Sequence, residues 1–109
     1  MKKLEDYRVT IRWGTDESQY EVGFPASSIF WIDIPHRSVT REGKMHWDTE
    51  RYDNPRLLEI INHPGTSPDV DAQFIASASA IMIKGAMGGE VTLYNLDNAI
   101  RVSCTFPRD

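Results

Sequence analysis

The sequence predicts an α+β fold, a mainly antiparallel sheet of about five to seven strands with two helices between the N-terminal strands and a C-terminal hairpin. Apolar and polar residues alternate with period two at both ends of the chain, and two proline-led helix starts lie in the middle. Strands and helices do not alternate regularly, which argues against a doubly wound parallel sheet.

Tyr7, Val9, Ile11 and Trp13 alternate with Arg8, Thr10 and Arg12, so residues 6–13 read as a half-buried strand. The polar stretch 14–19 is a loop. Tyr20, Val22 and Phe24 then supply a hairpin partner that ends at Pro25. Residues 28–34 (SIFWIDI) are apolar on both parities, which predicts a central strand covered on both faces, with Trp13 and Trp31 in core positions. Residues 36–48 read as a second hairpin. A three-residue loop, Arg41-Glu42-Gly43, places Gly43 in the left-handed position of a G1 bulge and pairs Val39 with Met45. That register gathers Val39, Met45 and Trp47 on one face, with His36, Ser38, His46 and Asp48 on the other. A two-residue loop, Glu42-Gly43, would split the apolar set.

Asn54-Pro55 offers an N-cap and a first-turn proline, followed by Leu57, Leu58, Ile60 and Ile61 on one helical face and a stop near Asn62 to Gly65. Ser67-Pro68 repeats the signal, with Asp69 and Asp71 at the positive end of the dipole, and leads into residues 70–84 with a stop at Gly85. This segment keeps two readings. Its small residues Ala72, Ala76, Ala78 and Ala80 suit a helix packed closely on a sheet, whereas 74–83 also alternates as a strand does. Val91 and Leu93, the turn 95–98, and then Ile100, Val102, Cys104 and Phe106 form the closing hairpin.

The length of 109 residues and the mass of 12.4 kDa fit one compact domain, residues 1–109. Folding such a chain buries about two-thirds of its surface, a core sufficient without disulfides. No apolar run reaches the roughly 18 residues of a membrane-spanning helix, so no membrane partner is expected. A lone Cys104, no glycosylation sequon and no apolar leader after Met1 make a cytoplasmic location the expectation. Twelve basic residues against sixteen acidic ones give a net charge of -4, a field that repels phosphate backbones and argues against nucleic acid.

Four constellations carry candidate chemistry. His36, His46 and Asp48 share a hairpin face and would suit a divalent metal or an acid–base pair if they converge, since imidazole titrates near neutrality and a carboxylate fixes its tautomer. The competing reading is a solvated hairpin face. Asp33, an acid in an apolar strand, needs a partner: that cluster, or an arginine in a structural salt bridge. Arg8, Arg12 and Arg101 point away from the apolar faces of their strands, and pairing of the first and last strands would make them one anion-binding face. Such cations also blunt sheet edges. Trp47 is the aromatic placed to anchor an interface.

Other features stay structural. The glycine run 84–89 precedes a strand, not the helix that a phosphate-binding loop requires, and reads as a helix C-cap and turn. Cys104 shares the buried parity of Val102, and His63 sits at a helix terminus. No cofactor fingerprint is present. The expected function is a small non-enzymatic protein-interaction domain, of inhibitor, immunity or assembly type from a bacterium or phage, with a protein partner and a homodimer as a further possibility. The alternative is a small ligand-binding or metal/acid–base enzyme domain using His36, His46 and Asp48.

Overall fold

Seven antiparallel strands and two α-helices make up the described part of the chain, residues 1–14, 17–85 and 89–106 of a computed structural model. The fold is α+β, with its strands divided between two sheets. In the first, β1 (Arg8–Gly14) lies between β2 (Gln19–Pro25) and β7 (Arg101–Thr105). In the second the order is β4 (Met45–Asp53), β3 (Ile29–Val39), β5 (Ala80–Lys84), β6 (Val91–Asn95). α1 (Asn54–Ile61) and α2 (Pro68–Ala76) follow β4, and α2 packs along β7. No helix among the described residues is long and apolar enough to cross a membrane.

Alternation in β1 determines which way the first sheet faces. Val9 and Ile11 are fully buried, opposite Phe24 and Val22 on β2 and Cys104 and Val102 on β7. The second sheet contributes Ile29, Ile32, Ile34 and Ile81, and the helices add Leu57, Ile61, Ala72 and Ile75. Trp13 is half-buried at the end of this core, stacked between Tyr20 and Tyr94 with centroids 5.4 Å from each.

The helix starts obey the capping signals with a shift of one residue at α1. Asp53, not Asn54, is its N-cap, its carboxylate accepting from the Arg56 N–H at 3.0 Å. Asn54 instead donates to the Ile29 carbonyl at 2.8 Å, tying the helix to β3. Ser67 caps α2 as expected, through the Val70 N–H.

Five sequence expectations need correction. Residues 70–84 are not one helix: α2 ends at Ala76, Ser77 turns the chain, and 80–84 form β5, so both readings of that segment were half right. The glycine run therefore follows a strand, not a helix, and its residues 86–88 lie outside the described set. Segments 28–34 and 36–40 belong largely to one strand, β3, which passes through Pro35. The bond from the Thr40 N–H to the Lys44 carbonyl sets the ladder phase, and puts Pro35 at a position that donates nothing to β4. β5 has already ended at Asp33, so the missing N–H has no strand to serve on the other side.

The closing hairpin does not form. β6 pairs with β5 and β7 with β1, because the connection at Leu96 to Ile100 carries the chain from one sheet to the other. Buried Leu96 and the bond from the Ile100 N–H to the Arg12 carbonyl hold that crossing. Finally, Trp31 is outside the core. Its strand is central, but only one face of it meets the hydrophobic interior; the outer face holds Trp31 beneath the Arg51 guanidinium, 3.6 Å from the ring centroid.

Candidate interaction surfaces

β3 and β4 continue past the core as a two-stranded ribbon. Every residue from 36 to 49 is exposed. Its register is the one expected from Gly43, whose φ of 80° matches a left-handed turn residue: Val39 faces Met45, Arg37 faces Trp47 and His36 faces Asp48. Val39, Met45 and Trp47 therefore share one face, and their exposures of 65%, 57% and 61% show that the described residues leave most of it uncovered. Arg37, Arg41 and Lys44 against Glu42 and Asp48 leave the ribbon mixed in charge, with a slight cationic excess in a chain that is acidic as a whole.

The opposite ribbon face carries the two histidines, and the structure separates them. His46 Nε2 meets Asp48 Oδ1 at 3.0 Å on the exposed outer part. His36 turns toward the body, where its Nε2 lies 3.0 Å from the Tyr52 hydroxyl and 3.4 Å from Glu50 Oε2. Among the described residues no three His, Cys, Asp or Glu side chains converge as a metal set.

The polar cluster that does form is His36, Glu50, Tyr52 and Arg56. Tyr52 donates to Glu50 Oε2 at 3.0 Å and Arg56 Nη2 to Glu50 Oε1 at 2.5 Å, while the Arg56 guanidinium lies 4.3 Å from the Tyr52 ring centroid. The bonds from Arg56 and then Tyr52 lower the Glu50 pKa, and burial together with the Glu50 bond raises that of Tyr52. This cluster fastens the base of the ribbon to α1. The sequence signal was present, since Glu50 and Tyr52 continue the parity of His46 and Asp48 beyond the point where the hairpin was expected to end.

Asp33 pairs with Arg51, through Nε to Oδ1 at 2.9 Å and Nη2 to Oδ2 at 3.2 Å. The fork raises the Arg51 pKa and, with Trp31 below it, packs the outer face of the second sheet. The structural salt-bridge reading of Asp33 is the one realised.

Arg8, Arg12 and Arg101 share the outer face of the first sheet, as expected from parity. Arg12 and Arg101 are direct cross-strand partners. Arg12 is neutralised by Glu21, at 2.9 Å from Nη2 to Oε2, whereas Arg8 and Arg101 have no ion pair among the described residues. Arg8 lies flat over Gly23, where a Cβ would stand 2.9 Å from its Nη2. A shallow cleft of about 60 Å³ opens beside Arg12, Glu21 and Arg101, lined also by the Thr10 and Ser103 side chains.

Sequence reasoning missed the most buried charge. Asp71 is 1% exposed and accepts from the Tyr7 hydroxyl at 2.9 Å and from Lys2 Nζ at 3.0 Å. Lys2 Nζ also donates to the Thr66 carbonyl at 2.8 Å, so this group ties the N-terminal segment to α2. Cys104 packs against the edge of the core but is half-buried, not enclosed as its parity suggested, and burial pushes its thiol up to about 12. His63 follows α1, with Nδ1 3.1 Å from the Pro64 carbonyl.

No family model, curated protein or solved structure matches this chain.

Proposed function

We propose that this chain is a non-enzymatic interaction domain of the inhibitor, immunity or assembly kind, of bacterial or phage type, which docks on a protein partner through the β3–β4 ribbon. The observation that supports this reading is the exposed Val39, Met45 and Trp47 face on a ribbon whose root is fastened into the fold. A few large aromatic anchors dominate binding energy at protein interfaces, and the charges of both signs around this one would set specificity. Because the ribbon is already ordered by the Gly43 turn and the Glu50–Arg56 bond, docking orders few further residues.

Surface area agrees. The accessible surface is 7546 Å², against about 6,100 Å² for a compact monomer of this mass. The excess is about 1,400 Å², to which the exposed ribbon contributes. A Cα radius of gyration of 15.0 Å, about 2 Å above that of a compact domain of this length, fits a ribbon that leaves the body.

The test is site-specific photocrosslinking in the native host, with the crosslinking residue at Met45 and, as a control, at Lys3. A discrete adduct from Met45 alone is expected, and Trp47→Ala should weaken the isolated pair by more than about 1 kcal/mol with an unchanged melting temperature. Identical adducts from both positions, or unchanged affinity without Trp47, would overturn the reading.

A further inference from the structure

Of the four sheet edges, three carry a device against further pairing. β2 contains Glu21 and Gly23 and ends at Pro25. β7 is flanked by α2. β4 carries charges along its length, and antiparallel pairing with a copy of itself about Thr49 would set Asp48 against Glu50. β6 has none of these: its five residues, Val91-Thr92-Leu93-Tyr94-Asn95, include no charge, proline or glycine, and among the described residues β5 is its only strand neighbour.

The ladder phase shows what this edge offers. The Gly85 N–H bonds the Glu90 carbonyl at 2.8 Å and the Leu96 N–H bonds the Ser79 carbonyl at 3.0 Å. Antiparallel bonds alternate, so Thr92 and Tyr94 use their backbone groups on β5. Val91, Leu93 and Asn95 point theirs outward, where no described residue takes them up. Val91 and Leu93 are also 58% and 55% exposed, and Leu93 lies beside Met82, with Trp31 beyond it in the same cross-strand row on the outer face of the sheet.

We infer that β6 is a self-association edge: two copies of this chain pair their β6 strands antiparallel about a two-fold axis at Leu93, forming one continuous eight-stranded sheet. A second copy fits this edge for three reasons. Leu93 meets Leu93, Val91 meets Asn95 and Thr92 meets Tyr94, so no charge opposes another despite the net charge of -4 on each chain. The three outward backbone pairs of each strand satisfy those of the other, giving about six new hydrogen bonds. The exposed Leu93 and Val91 side chains of both copies become neighbours on one face, and a strand without charge holds no code to select a different partner. This contact leaves the Trp47 ribbon free and is independent of its proposed role.

The experiment is sedimentation velocity from about 5 to about 500 µM, a range that separates mass-action association from a fixed state. A concentration-dependent dimer is expected. Leu93→Lys, a change at an exposed side chain, should weaken it by about tenfold or more, while Val39→Lys on the ribbon should not change it. In a Cys104→Ala background, Leu93→Cys should form a disulfide dimer on mild oxidation and Thr92→Cys should not, because only residue 93 faces itself. A monomer at every concentration, a dimer indifferent to Leu93→Lys, or equal crosslinking of both cysteine variants would overturn the inference.

Discussion

The Tyr7 hydroxyl and the Asp71 carboxylate meet at 2.9 Å with both residues enclosed, joining the segment before β1 to the first turn of α2. Burial, together with the bond to Asp71, raises the Tyr7 pKa far above that of a free phenol. Removing one partner strands the other away from water. Tyr7→Phe should cost about 1–2 kcal/mol and Asp71→Ala about 3 kcal/mol in urea unfolding, with a double mutant less destabilised than the sum. Strict additivity would show that the pair is not coupled.

The ribbon root should be acid-sensitive. Arg56 and Tyr52 hold the Glu50 pKa below its ordinary value of 4.5. A carboxylate stabilised in the folded state contributes its stability above the unfolded pKa and loses it as pH falls through the folded one. The parent should therefore lose stability below about pH 4.5 faster than Glu50→Gln, which carries no carboxylate to protonate. Equal acid slopes in chemical denaturation would show that Glu50 is not the group responsible.

At the alkaline end Cys104 has the opposite sign. Its thiol sits at about 12 in the fold against an ordinary 9.0, so the unfolded chain ionises first. The stability it contributes is complete below the unfolded value and is lost as pH rises through the interval between the two. Cys104→Ala should flatten that decline relative to the parent, whatever its effect near neutrality. A thiol reagent should label the native protein more slowly than the unfolded chain, because the thiol is half-buried and its pKa raised; equal labelling rates would contradict the packed position.

Arg12 and Arg101 oppose each other across β1 and β7, and among the described residues only Arg12 has a carboxylate partner. Like charges placed directly opposite destabilise a sheet by a few tenths of a kcal/mol or more. Arg101→Glu should raise stability by about 0.2–1 kcal/mol at low ionic strength, with the gain shrinking in salt. A loss under those conditions would mean that the guanidinium has an unrecognised stabilising contact.

Much of the fold was legible because local chemistry decides it. Gly43 and the parity of Val39, Met45 and Trp47 were enough to place each residue of the ribbon opposite its partner. Ser67-Pro68 placed the start of α2. What escaped depends on partners distant in sequence. The end of α2 at Ala76 is set by β5 pairing with β3, which makes residues 80–84 a strand although their neighbours are small helix formers. The missing closing hairpin has the same origin, since β6 and β7 each find a partner elsewhere before meeting each other. Trp31 was misplaced because a run apolar on both parities does not say whether its second cover is another layer or a single arginine. At the candidate sites, parity located the arginine face correctly but did not foresee that His36 would turn toward Glu50 and away from His46.

The place of β1 between β2 and β7 also constrains how this protein is made. Arg8 is paired with Pro25 on one side and Thr105 on the other, so the middle strand of its sheet waits until residues 101–105 have left the ribosome before its second ladder can close. Contacts spanning such sequence distances slow folding. During synthesis the Val9 and Ile11 strand has one open flank, and the nascent chain should be a chaperone client until β7 docks.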